Sequence, residues 1–215
     1  MPVKDKTKEM VTRSYQAEVR AKEGNGHTIV GRPIVYGTKT DLGYFDEIIE
    51  RGALDGADLE DVLFFVNHDI YKIPLARSRR NNKNSTMRLK VDDEGLEMEA
   101  DLDTENNAES KSLYSAVQRE DITGMSFMFQ IEDEEWSDMD TDHPTRTIKK
   151  ISIVREVSAV CFPAYPTTEI MARSKVALDN AKKVLDNARA KELDNSSNNA
   201  LALEKEKFKI LYGGK

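Results

Sequence analysis

Gly124-Met125-Ser126-Phe127-Met128-Phe129-Gln130-Ile131 is the stretch from which the fold of this chain can be worked out. Met125, Phe127, Phe129 and Ile131 alternate with Ser126, Met128 and Gln130, the period-two pattern of a β-strand with its larger apolar residues on one face. Ser126 then points to the opposite face, at the start of the strand, just after a glycine that keeps the approach open. A serine in that position is either a half-buried spacer or a nucleophile. The choice turns on whether the chain also supplies a base and an orienting acid in comparable settings.

A candidate base follows a second apolar run. Val62-Leu63-Phe64-Phe65-Val66 reads as a buried strand and ends in Asn67-His68-Asp69. His68 sits at the mouth of that strand, where an imidazole can be held rigidly and still reach solvent. Histidine is the usual general base for a hydroxyl nucleophile. The other two histidines, His27 after Gly24-Asn25-Gly26 and His143 before Pro144, read as solvated loop residues.

The acid comes from a third strand. Ile151 to Cys161 is a long apolar-rich run in which Glu156 is the lone carboxylate, sharing a face with Val154, Ser158 and Val160. A carboxylate among apolar neighbours must be paired or hydrogen-bonded, and the N–H of the His68 ring would serve. Asp69 is nearer in sequence. Adjacent strand residues point to opposite faces, which disfavours Asp69 unless a turn begins at His68. Each of the three residues, taken singly, also has a plain structural role in its strand, and their spacing does not show that they meet.

The order and wording of these segments resemble the prohead, or procapsid maturation, serine proteases of tailed bacteriophages, a family similar in fold to the herpesvirus protease assemblin. The matching pieces begin with Gly31-Arg32-Pro33-Ile34-Val35-Tyr36 and Tyr44 to Leu54. They continue with Asn67-His68-Asp69, Asp92 to Ala100, Gly124-Met125-Ser126-Phe127, Arg155 to Val160 and Pro163-Ala164-Tyr165-Pro166, over about residues 28 to 174. The resemblance implies Ser126 as nucleophile, His68 as base and, less directly, Glu156 as third member. It implies an α+β fold, mainly an antiparallel β-barrel with peripheral helices of the herpesvirus-protease type. Its implied activity is a serine endopeptidase that cuts scaffold and major capsid protein segments, and itself, inside the immature capsid in the host cytoplasm. A homodimer is implied by related enzymes. The alternative is a protease-like scaffold without catalysis. Backbone amides of Cys161-Phe162-Pro163-Ala164 are the candidate oxyanion donors, although Pro163 has no N–H to give.

Composition is consistent with these expectations. No stretch of the 215 residues approaches the ~20 apolar residues of a membrane span, and the first six lack the core of a signal peptide. The lone Cys161 allows no internal disulfide and reads as a small buried hydrophobe within its strand. No phosphate loop or metal-ligand spacing occurs, so neither cofactor nor metal is expected. A net charge of −7 argues against nucleic acid as partner. The acids cluster between Glu132 and Asp142 around Trp136, as a solvated hairpin loop or as a recognition edge for basic peptides.

Three parts follow. Residues 1–15 form a charged, mobile arm leading into a strand near Ser14 to Val19; residues 16–174 form the protease domain; residues 175–215 form a helical or partly disordered tail. Within the domain, Ser110 to Arg119 has a helical period, and Phe45 to Leu54 suggests a loop and a brief helix. In the tail, Leu178 and Leu185 recur at seven residues and mark one stripe of a helix, a break follows at 194–199, and a second helical stretch runs from Ala200 to Leu211.

Overall fold

The computed structural model describes residues 10–15, 19–22, 24, 27–79, 84–162 and 174–191. They are mainly β-strand, with two helices, in an α+β arrangement. The frame is a pair of long strands, β10 (Gly124–Ser137) and β11 (Thr145–Val160), paired antiparallel along their lengths. The first sheet runs β1 (Met10–Tyr15), β10, β11, β5 (Asp46–Ile49), β4 (Thr40–Asp41). β11 is long enough for two parallel partners on its second edge, β5 at residues 145–148 and β6 (Asp61–Val66) at 156–159. β6 in turn pairs with β7 (Ala76–Arg79). A second sheet has the order β2 (Val19–Ala21), β3 (Thr28–Val35), β9 (Gly95–Asp101), β8 (Met87–Asp92).

The described strands do not close into the expected barrel. Closure needs a continuous ladder at each seam, whereas β1 and β2 follow one another in the chain as edges of different sheets. At the other side, the Thr86 N–H donates to the Arg77 carbonyl at 3.0 Å, a link between the β8 and β7 edges without a ladder. The β3–β9 ladder shifts register between Gly31 and Ile34, where Pro33 has no N–H to give. Gly95, at φ +143, lies so close to β3 that a Cβ would sit 1.9 Å from the Ile34 carbonyl oxygen.

The first sheet is nevertheless strongly curled. β1 and β5 are three strand spacings of ~4.8 Å apart in its order, yet the Arg13 Nη2 of β1 donates to Glu47 Oε2 of β5 at 2.9 Å. Only a sheet bent over its own face brings those side chains together.

The alternation in β10 holds: Met125, Phe127 and Phe129 are fully buried, and the two phenylalanine rings stack with centroids 4.6 Å apart. They join Phe64, Val157 and Ile34 in one core. Helix α1 (Ala108–Gln118) matches the expected period, with Leu113 and Val117 buried. Asn107 caps it, its Oδ1 accepting from the Glu109 and Ser110 N–H groups at 2.9 and 3.2 Å.

Four expectations are corrected. Phe45 to Leu54 forms β5 and turns, not a helix, because Asp46–Ile49 finds a ladder on β11. Met10–Tyr15, assigned from sequence to the arm, forms β1 against β10. Cys161 lies just past the end of β11 and is exposed, not buried in the strand. Glu132 to Trp136 belongs to β10 rather than to a loop, and three of its four acids are matched: Glu132 by Lys150, Glu134 by Arg146, Glu135 by Lys149. Such neutralisation weakens an acidic edge for basic peptides. Trp136 packs edge-on against Phe45 at 4.8 Å.

Residues 174–191 form a second helix, α2. Its Leu178 is buried against Leu42 and Phe45, so the start of the tail docks on the domain. The helical stretch expected at 200–211 lies outside the described residues. No described helix is long and apolar enough to cross a membrane.

Candidate active site

Strand register lines up three serines. Ser14 of β1 faces Ser126 of β10, and Ser126 faces Ser158 of β11. Directly paired residues in an antiparallel ladder share a face, so the three hydroxyls project together. Glu156 stands two residues from Ser158 on the same strand and projects to the same side.

His68 reaches this row through a tight turn. β6 ends at Val66, and Asn67 and His68 both take left-handed backbone angles, φ +51 and +60. Asn67 tolerates that conformation and is pinned to the end of β11. Its N–H donates to the Ala159 carbonyl at 2.9 Å, and its Oδ1 accepts the Cys161 N–H at 3.1 Å. For histidine the conformation is costly, on the order of 1–3 kcal/mol, and persists where surrounding bonds hold it. The turn swings the imidazole over β11 towards β10.

There the three expected residues meet. His68 Nδ1 lies 2.8 Å from Glu156 Oε2, and His68 Nε2 makes a short hydrogen bond with Ser126 Oγ. Asp69 is not at the imidazole: its carboxylate is half exposed and 3.9 Å from Lys72 Nζ. The turn that would have favoured Asp69 does occur, but it carries the ring to Glu156 instead. Ser126 is 0% and Glu156 2% exposed, while the His68 side chain keeps 22% of its surface. His68 is therefore the solvent-facing member of the three.

Two residues absent from the expected set complete the surroundings of Ser126. Ser14 Oγ donates to Ser126 Oγ at 2.8 Å, and the Arg13 carbonyl oxygen, 2.7 Å from Ser126 Oγ, competes with His68 Nε2 for the one Ser126 hydroxyl proton. Nothing local in the sequence signals Ser14, since its place depends on how β1 registers on β10. Ser158 bonds Glu156 Oε1 and accepts the His68 main-chain N–H. Its signal was present in the alternation Glu156-x-Ser158. Of the suggested oxyanion donors, the Cys161 N–H is already engaged by Asn67, and Pro163 and Ala164 lie outside the described residues.

Arg13, next to Ser14 on β1, belongs to a buried charge cluster. Glu47, fully enclosed, bonds Arg13 and has Arg146 Nη1 at 3.4 Å. Burial opposes its ionisation, but the two guanidinium groups outweigh that and hold the carboxyl below the usual carboxylate range. Arg146 also bonds Glu134, with its guanidinium carbon 5.6 Å from the centre of the Trp136 ring. The cluster fixes the Arg13 segment of β1 whose carbonyl touches Ser126.

Among the described residues, Asp41, Asp46 and His143 could offer a cation ligand atoms within 4.8 Å of one another. Asp46 is already bound by Lys39 and His143, and the group sits at the opposite end of β11 from Ser126. It takes no part in the site.

A hydroxyl bonded to an imidazole, itself bonded to a buried carboxylate, is an arrangement able to activate an oxygen nucleophile. Residues 15–184 match the family described as caudovirus prohead serine protease. No curated protein and no solved structure matches the chain.

Proposed function

The chain belongs to the caudovirus prohead serine protease family, and we propose that it is the serine endopeptidase that cleaves scaffold and major capsid protein segments as the procapsid matures. The observation that carries this is the contact from Ser126 Oγ through His68 to Glu156. Ser126 attacks the scissile carbonyl while His68 Nε2 takes its proton; His68 returns that proton to the leaving amine, and water then hydrolyses the acyl-enzyme by the same route. Glu156 holds the ring by Nδ1 and stabilises the imidazolium. Self-cleavage, packaging inside the immature capsid in the host cytoplasm, a homodimer and a herpesvirus-protease type of fold belong to the same proposal, on family likeness.

Co-assembly with the capsid protein of the same phage tests it: shortened capsid and scaffold bands should appear with the wild-type chain. Complete burial of Ser126 favours a second reading, a non-catalytic scaffold in capsid assembly. That reading predicts assembled particles with uncut proteins. Within the peptidase reading, Glu156→Gln replaces an acceptor of the Nδ1 proton by an amide whose NH2 can face it. Its cleavage rate should fall about 10²-fold, less than on loss of the nucleophile, as timed peptide cleavage would measure. Full activity in Glu156→Gln would remove Glu156 from the mechanism.

A further inference from the structure

The hydrogen bonds around His68 have a fixed direction. A main-chain N–H can only donate, and that of His68 meets Ser158 Oγ at 3.2 Å. Having accepted there, the Ser158 hydroxyl has its own proton for Glu156 Oε1. The second carboxylate oxygen, Oε2, meets His68 Nδ1 at 2.8 Å. A carboxylate only accepts, so Nδ1 carries a proton; in the neutral ring Nε2 is then bare and accepts the Ser126 hydroxyl proton. The sequence of bonds leaves His68 by its backbone and returns to it by its ring. Ser158 is wholly buried and Glu156 nearly so, which leaves these groups dependent on one another for their partners.

His68 has a second need for such a tie. Its left-handed backbone is held on one side by the Asn67 contacts with the end of β11 and on the other by the bond to Ser158. Released from Ser158, the ring loses both the orientation of its acid and an anchor of its own backbone.

We propose that Ser158 is a positioning residue that sets the tautomer and aim of His68 through Glu156. The assignment rests on the peptidase reading of the same site. Nitrogen-15 histidine NMR of the full chain, with His68 identified by its loss in His68→Gln, reads the tautomer directly. The wild type should show a single Nδ1–H form, and Ser158→Ala a mixture of tautomers; an unchanged single form in Ser158→Ala overturns the proposal. A fluorophosphonate probe reads the consequence at Ser126. Its maximal labelling rate should drop about 10- to 100-fold in Ser158→Ala with half-saturation within about twofold of wild type, and Ser158→Thr should recover most of the rate. Equal losses in the Ala and Thr variants would assign Ser158 to packing alone. Should Ser158→Ala fail to fold, Ser158→Cys, similar in size and a poorer donor, carries both measurements. Absence of labelling in the wild type would sink the peptidase reading, and the tautomer comparison would still decide the role of Ser158.

Discussion

Ser126→Ala is expected to abolish cleavage of capsid and scaffold proteins while leaving the fold and encapsidation intact. Removing the nucleophile of a serine hydrolase costs on the order of 10³–10⁶ in rate, because the covalent route is lost and only binding and electrostatic assistance remain. The structural cost is small by comparison. Ser126 Oγ bonds His68 Nε2, Ser14 Oγ and the Arg13 carbonyl. Its loss deprives each of one partner, about 1 kcal/mol apiece for the part-buried Ser14 and His68 and about 1–3 kcal/mol for the buried Arg13 carbonyl. The strand itself is secured elsewhere, by Met125, Phe127 and Phe129 in the core and by ladders on both edges. Melting temperature and incorporation into particles should therefore stay near wild type, whereas timed cleavage should show no product. A loss of less than tenfold in the cleavage rate would exclude Ser126 as nucleophile and shift weight to the scaffold reading.

How much of this site could be read from sequence depends on the range of the interaction. The alternation from Met125 to Ile131 is local, and it puts Ser126 on the face opposite Phe127 and Phe129, although both faces are buried there. The run ending at Val66 is equally local, and it puts His68 at a strand end. Glu156 could be singled out because an isolated carboxylate in an apolar strand demands a partner, and His68 is the partner found. The choice between Glu156 and Asp69 could not be made from alternation, because it depends on two consecutive left-handed residues, neither of them glycine, that turn the ring. Ser14 and Arg13 were beyond reach for a different reason. Their roles come from the register of β1 on β10 and from the curl that carries Arg13 to Glu47, properties of the assembled sheet. The barrel was expected from the family resemblance; the first sheet does curl, but without a continuous seam, and two sheets are found.

Glu47→Ala should be the most destabilising single change near the site. Arg13 and Arg146, 4% and 7% exposed, both point at this carboxylate. Replacing a whole buried ion cluster by apolar residues is often neutral, but removing one partner strips buried charges of a counter-ion, at up to about 3–5 kcal/mol. Arg146 keeps Glu134; Arg13 loses its bidentate carboxylate. The pH dependence has a definite sign. The folded protein holds the Glu47 carboxyl below its usual range, so the unfolded chain binds the proton more readily. This stabilisation is fully present above the ordinary carboxylate value of ~4.3 and is lost as pH falls from there through the lower folded value. Urea titrations of the wild type should thus show stability dropping on acidification below about pH 4, and Glu47→Gln, with no proton to take up there, should show a shallower drop over the same range. The variant should also label more slowly at Ser126, since Arg13 holds the stretch of β1 whose carbonyl and Ser14 hydroxyl touch that residue. An unfolding midpoint for Glu47→Ala equal to that of wild type at neutral pH would mean that the cluster adds no net stability, and that β1 is held by its ladder on β10 alone.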